Sequence, residues 1–268
     1  MKLFGILNIT PDSFSDGGKF LAPEAALAQA RKLVEGGADA LDLGGAASNP
    51  NAEAVAPEIE IGRLAPVVAA MKAEGVALSI DTFSPDVQRW AMGAGVDYLN
   101  DIQGFPDPSL YPELAASSAK LIVMHSVQGL GKATRIAVAP DEIYARTCRF
   151  FEARFKALTD ASIARERLIL DPGMGFFLGT DSDASFVILR RIADLKRAFG
   201  LPVLISVSRK SFLRRITGRP VGESGPATLA AELFAALHGA DMIRTHDPAA
   251  IRDGWKVWQA LAGGAPRA

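Results

Sequence analysis

The chain has 268 residues, 49% of them hydrophobic, and 29 Lys and Arg against 30 Asp and Glu leave a net charge of −1. So even a balance excludes a surface built for nucleic acid or an anionic membrane, and any anionic ligand must be met by local charge. The one cysteine, Cys148, leaves no internal disulfide and reads as a helix core residue, no run of about 18 apolar residues exists to span a bilayer, and the apolar stretch of MKLFGILN is too short for a signal peptide, so a cytoplasmic protein is expected.

In chain order, short apolar runs alternate with longer amphipathic ones. The first strand reads LFGILN (3–8) and ends in Asn8, followed by TPDSFSDGG, which carries far more hydrogen-bonding groups than a turn needs. A helix pattern, APEAALAQARKLVEGG, leads to ALDLG (40–44). PEIEIGRLAPVVAAMKAEG leads to VALSID (76–81), PDVQRWAMGAG to DYLND (97–101) and PSLYPELAAS to KLIVMH (120–125). DEIYARTCRFFEARFKAL precedes RLILD (167–171), SFVILRRIADLKRAFG precedes PVLISV (202–207), PATLAAELFAALHGA precedes DMIRT (241–245), and PAAIRDGWKVWQAL closes the series. Eight strands, each followed by a helix, form the pattern of an α/β protein with a single (β/α)8 TIM barrel domain over residues 1–268. GGAD, GAGVD and HGAD before strands two, four and eight support it, because a glycine at a helix C-terminus turns the chain back into the next strand. A doubly wound open sheet would also alternate, but no dinucleotide fingerprint follows the first strand.

In such a barrel the loops at the C-terminal ends of the strands build the active site. Those ends carry Asn8, Asp42, Asp81, Asn100 with Asp101, His125, Asp171, then Ser208, Arg209 and Lys210, then Arg244 with His246. Any one alone reads as a helix cap or turn residue. Eight strand ends, each delivering a polar group to one rim, read as a ligand site. SVSRKS and IRTHD place Lys210, Arg209, Arg244 and His246 where barrels commonly hold a phosphate, so an anionic, phosphorylated ligand is expected, against the alternative of a solvated charge cluster. Asp81, Asn100 and Asp171 suit a flat, nitrogen-rich ring, whose amino group and ring N–H a carboxylate accepts as a matched pair. As a metal set these oxygens point only to magnesium, and three histidines, one of them His238 in a helix pattern, give no zinc cluster.

GILNITPDSFSDGG, SIDTF, YLNDIQG, VMHS, LILDPGMGF, SVSRKSF and IRTHD, in this order from residue 5 to 247, resemble the dihydropteroate synthase family. The resemblance implies a (β/α)8 barrel transferase of folate biosynthesis that joins 6-hydroxymethyl-7,8-dihydropterin diphosphate to 4-aminobenzoate and releases diphosphate. By motif it implies that Asp81, Asn100, Ile102, Met124, Asp171 and Lys210 hold the pterin. Asn8, Arg244 and His246 would meet the diphosphate, with Asn8 on its Mg2+. Ser48, Pro50, Phe14 and Ser208 would lie about the aminobenzoate. Lys210, Asp171, Asp12 and Phe14 are the implied catalytic set, the last two on a loop that closes over the departing diphosphate, with Asp16 available to order it and Gly17 and Gly18 to let it move. The resemblance also implies a homodimer through the last helices, where Trp255, Val257 and Trp258 read as core at least as readily as interface.

The second loop, DLGGAASNPNAEAV, departs from the family. Ala46, Ser48, Asn49 and Asn51 stand where it usually has Glu, Thr, Arg and Gly, and Asn49 can only hydrogen-bond where an arginine would carry charge. Arg63 or Arg209 is the candidate replacement. LRRITGRPVGESGPATLAAEL after SRKSF runs extra positive charge beside the aminobenzoate side. Both segments resemble the plasmid-borne, sulfonamide-insensitive branch, which implies an active synthase of reduced sulfonamide sensitivity. The rival readings are a pterin-barrel methyltransferase, for which the phosphate cluster has no role; a Schiff-base aldolase on Lys210, disfavoured by the neighbouring Arg209; and a pterin-binding protein that lost catalysis at the second loop.

Overall fold

The computed structural model describes residues 1–10, 23–47, 54–129 and 135–263. Strands β1 (Lys2–Asn8), β2 (Ala40–Gly44), β3 (Ala77–Asp81), β4 (Tyr98–Asp101), β5 (Lys120–Met124), β6 (Leu168–Asp171), β7 (Leu204–Ile205) and β8 (Met242–Thr245) pair in parallel in the order β6-β5-β4-β3-β2-β1-β8-β7. A parallel bridge from Leu170 to Val203 sets β6 against β7 and completes the ring, as a barrel requires and an open doubly wound sheet does not. Around it lie α1 (Pro23–Glu35), α2 (Pro57–Ala73), α3 (Pro85–Ala94), α4 (Tyr111–Ala116), α5 (Pro140–Asp160), α6 (Ser182–Arg190), α7 (Ile192–Phe199), α8 (Ser211–Thr217), α9 (Gly225–Leu237) and α10 (Pro248–Leu261). None of these is long and apolar enough to cross a membrane.

Alternation along the strands decides which side chains meet inside. Phe4, Ala40, Tyr98, Ile122, Ile169, Leu204 and Met242 pack together, with Ala77 against them, and plug the barrel floor. Their strand neighbours Leu3, Leu41, Leu78, Leu99, Leu121, Leu168, Val203 and Ile243 face the helices in the main core. Two positions beyond each floor residue stand Ile6, Asp42, Ser79, Asn100, Met124, Asp171, Ser206 and Arg244, and two further come Asn8, Gly44, Asp81, Ile102, Ser208 and His246. The rim is therefore the continuation of the inward-facing rows.

The same parity removes two residues from the rim. Asp101 faces α3, where its carboxylate accepts from Gln88 Nε2 at 2.9 Å and from the N–H groups of Gln103 and Phe105. His125 packs between β5 and α5, its ring 5.2 Å from that of Phe150, with Nδ1 3.1 Å from the Pro172 carbonyl. Burial lowers the pKa of His125 to about 4 and raises that of Asp101 to about 6.

The turn motifs supply more than glycines. Asp39, Asp97 and Asp241 accept the backbone N–H of Leu3, Leu78 and Val203 at 2.7, 2.9 and 3.0 Å, clipping each new strand to the one beside it. The expected helix over 185–200 breaks at Arg191, whose guanidinium lies 3.7 Å from the Tyr144 ring centre and pairs with Asp194. The stretch after SRKSF holds a short helix, α8, that periodicity did not reveal, and β7 spans two residues where six were expected. Cys148 is half-buried against the core, and His238 caps α9 with its ring stacked on Phe234. Of the residues read as core or interface on the last helix, the core reading is corrected for two: α10 buries Pro248 and Ile251 and half-buries Trp255, while Val257 is 61% and Trp258 38% exposed.

Gly173 follows Asp171-Pro172 with φ +72°, and a Cβ there would stand 2.4 Å from the His125 carbonyl oxygen, a backbone atom that cannot swing away. Gly173→Ala is expected to cost about 3 kcal/mol from overlap and left-handed strain, read from the urea midpoint.

Candidate active site

Lys210 opens α8, directly after Arg209, which holds a left-handed φ of 59° with its N–H on Thr228 Oγ1 at 3.1 Å. The Lys210 stem runs past Gly175, whose missing Cβ would lie 3.6 Å from Cδ, and the ammonium sits 5.1 Å from the Phe177 ring centre. Burial and the charge of Arg244 lower its pKa to about 8, opposed by Asp171 and Asp81. Burial lifts Asp171 to about 6 although its Oδ1 accepts from the Gly173 N–H at 2.8 Å and Lys210 and Arg244 favour its charge. Burial likewise lifts Asp81 to about 7, helped by Asp42 and Glu60 and opposed by Arg244 and Lys210. Ile102, Met124 and Phe177 form an apolar cluster of their own, with Phe83 and Phe176 against it, the wall a flat ring requires.

Arg244 is deep in the barrel. Its Nε donates to Asp42 and its Nη2 to Asp81, and Asn100 Nδ2 reaches the same Asp42 oxygen at 3.3 Å. The two carboxylates hold the guanidinium charged. Asp42 Oδ1 and Asn100 Oδ1 are buried with no partner among the described residues. Sequence reasoning placed Asp42 at a strand end but gave it no role; the available signal was its position two residues beyond Ala40, in phase with the floor.

Ser208 Oγ accepts the His246 N–H at 3.2 Å and lies 2.9 Å from His246 Nδ1. Burial and the charges of Arg209, Arg244 and Lys210 lower the His246 pKa to about 3. When the Ser208 hydroxyl donates to Nδ1 of the neutral ring, Nε2 carries the proton and is the nitrogen able to donate to an anion. Ser208→Ala is expected to raise KM for a phosphorylated substrate about tenfold with a smaller change in kcat, Ser208→Thr restoring most of it; a larger change in KM for an arylamine would instead support the aminobenzoate placement that the family resemblance implies for Ser208. Initial rates at varied concentrations of each substrate decide between the two.

Asn8 ends β1 opposite Gly44, where a Cβ would stand 3.2 Å from Asn8 Oδ1. Among the described residues no group of three His, Cys, Asp or Glu could hold a metal alone. One amide oxygen at the rim fits magnesium that brings phosphate and water ligands with it. Asp12, Phe14, Ser48 and Pro50 lie outside the described residues, as does Asn49. Arg63 is engaged beneath the second loop, donating to the Gly45 carbonyl at 2.7 Å. Of the extra charges after SRKSF, Arg215 donates to the Thr180 carbonyl and Arg219 pairs with Glu223.

Inward carboxylates and an amide against an apolar wall, facing Lys210, Arg244 and His246, define a barrel enzyme for a flat, nitrogen-rich ring that carries an anion. A model of the pterin binding enzyme family matches residues 4–246. The dihydropteroate synthase type-2 of Escherichia coli is 58% identical over 97% of this chain and 95% of its own, and the type-3 enzyme of Escherichia coli 50% identical over 97% and 99%. The dihydropteroate synthase of Yersinia pestis, solved with a sulfonamide drug, superposes with a TM-score of 0.89 at 32% identity, over 98% of this chain and 94% of that one. That of Xanthomonas albilineans in complex with 7,8-dihydropteroate gives 0.85 at 36%, over 98% and 94%. The chain belongs to the dihydropteroate synthase family.

Proposed function

We propose that the chain transfers the pterinylmethyl group of 6-hydroxymethyl-7,8-dihydropterin diphosphate to the amine of 4-aminobenzoate, forming 7,8-dihydropteroate and diphosphate. The observation that carries this reading is the pairing, in one rim, of ring-recognising groups (Asp81, Asn100, Asp171) with an anion-holding end (Lys210, Arg244, His246). Asp171 and Asp81 accept from the amino and ring N–H groups, while the unpartnered Asn100 oxygen offers a further acceptor. Ile102 and Met124 pack against the ring face. Lys210, Arg244 and His246 Nε2–H then stabilise charge on the leaving oxygen as the C–O bond breaks. The arylamine attacks the resulting pterin-stabilised cation, forms the C–N bond and loses a proton to bulk water or to diphosphate. No side chain is bonded covalently to substrate on this route. Magnesium, held at Asn8 with the diphosphate, would supply Lewis-acid charge neutralisation on the leaving group. Asp12 and Phe14 belong to this scheme as closing-loop residues that exclude water, and Ser48 and Pro50 as neighbours of the aminobenzoate.

A Schiff-base aldolase needs a desolvated lysine of lowered pKa, and Lys210 meets that condition, its pKa lowered to about 8 by burial and the charge of Arg244, but beside Arg209 it is placed to bind an anion. The lysine still carries its proton at neutral pH and is held between Asp171, Asp81 and the Phe177 face, an arrangement for a cation. The exposed Val257, Trp258 and Leu261 on α10, with Leu237 of α9, support a homodimer through these helices, checked by sedimentation, and the folate-biosynthesis reading goes with a cytoplasmic location. The second-loop departures and the similarity to type-2 and type-3 relatives support reduced sulfonamide sensitivity.

The test is diphosphate release from the dihydropterin diphosphate with magnesium, with and without 4-aminobenzoate and with the product identified. Release that requires aminobenzoate and yields dihydropteroate supports the synthase; pterin binding without release makes this a binding protein. A sulfonamide inhibition constant close to the KM for aminobenzoate would sink the reduced-sensitivity reading.

A further inference from the structure

Arg244 presents its carboxylate-facing edge to two residues that the chemistry treats differently. Asp42 is fully buried, lies beneath the guanidinium and shares its bonded oxygen with Asn100. Asp81 sits one layer higher, in phase with Asn8 and His246, and is the carboxylate of the pair that a ring would reach first. Side-chain exposures of 0% and 16% for Asp42 and Asp81, with 13% for Arg244, give the same order. A ring N–H and the Arg244 Nη2–H therefore compete for Asp81.

We infer that binding of the pterin ring and binding of diphosphate are coupled through an exchange at Arg244, with Asp42 the positioning residue that anchors the guanidinium while Asp81 passes from it to the ring. This rests on the proposed reading of the site. When the ring takes Asp81, the Nη2–H turned toward that carboxylate is released for an anion. The Nε–H remains on Asp42, so the guanidinium does not swing free, and the freed donor is already ordered. In the reverse order, diphosphate draws Nη2–H from Asp81 and leaves that carboxylate open to the ring; linkage requires both routes to give the same factor. Burial lifts Asp81 to about 7 against the pull of Arg244 and Lys210, so at neutral pH its carboxylate is not firmly held as an anion by the guanidinium. Asn100 stabilises the anchored state from the other side, because its Nδ2 on Asp42 keeps that carboxylate from following Asp81 toward the ligand.

The experiment measures binding of inorganic diphosphate with magnesium by calorimetry, in the presence and absence of 6-hydroxymethylpterin without its diphosphate, on the whole protein and on Asp42→Asn. In the unmodified protein diphosphate is expected to bind about tenfold tighter with the pterin present, and the pterin tighter by the same factor with diphosphate present. In Asp42→Asn, with the melting temperature and binding of pterin alone checked, that factor is expected to fall below about twofold, because a released guanidinium now has to be ordered by the ligand. A side chain that merely supported the fold would change both affinities and leave their ratio intact. Two ligands that bind the unmodified protein independently overturn the exchange, a full tenfold factor in Asp42→Asn overturns the anchor, and binding of neither ligand to the unmodified protein overturns the reading of the site itself.

Discussion

Lys210→Met is expected to lower kcat/KM for the dihydropterin diphosphate about a thousandfold, a loss of the size seen when one preorganised charge stabiliser is removed. Methionine keeps an unbranched stem against Gly175 and the Phe177 ring, so packing survives and the ammonium alone is lost. Both substrate binding and leaving-group stabilisation depend on that charge, and KM should rise as kcat falls. The pH profile gives a second signature. Asp171, raised to about 6 by burial, must be ionised to accept from the ring, so kcat/KM rises with pH through that value, and Asp81 at about 7 broadens the limb. Lys210, lowered to about 8 by burial, must be protonated, so the rate falls as pH rises through 8. The variant should keep the acid limb and lose the alkaline one. A fall near pH 8 that persists without Lys210 would assign that limb to another group.

The order of elements and the polar strand ends were legible because both are local: a short apolar run, its boundary and the group that ends it lie within six residues. What was lost depended on facing. Asp101 follows Asn100 and His125 follows Met124, and one residue of phase turns each from the barrel to the helices, where Gln88 and Phe150 receive them. Fixing that phase needs the register of all eight strands against one floor, which the Phe4 to Met242 plug supplies only when assembled. The Ser208 to His246 contact spans 38 residues and the Arg244 to Asp42 contact 202, distances at which sequence alone gives no pairing. The last helix was left between core and interface because paired aromatics usually turn inward; here Gly254 of α10 lets Leu229 and Leu233 of α9 approach closely, Trp255 is half-buried, and Val257 and Trp258 are left outward.

Arg244→Met should be the most damaging single change in both stability and activity, and the two losses can be separated. The substitution leaves Asp42 buried beside Asp81 without its paired cation, a situation that costs about 3–5 kcal/mol when one partner of a buried pair is removed. Protonation relieves it. With the guanidinium gone, Asp81 loses the pull that opposed its burial and its pKa lies further above the unfolded-state value, so the folded variant binds more protons than the unfolded chain and its stability relative to the parent should fall as pH rises through about 7. Adding Asp42→Asn removes the buried charge and should return most of the lost stability, read from urea midpoints at pH 7. It should return none of the activity, which stays at least a thousandfold down, because no group replaces the guanidinium at the leaving diphosphate. Recovery of stability without turnover would separate Arg244's two tasks: it neutralises Asp42 and Asp81 in the empty protein and holds the anion in the occupied one. Recovery of turnover in the double variant would instead mean that Arg244 serves only to neutralise Asp42, and that Lys210 and His246 suffice for the leaving group.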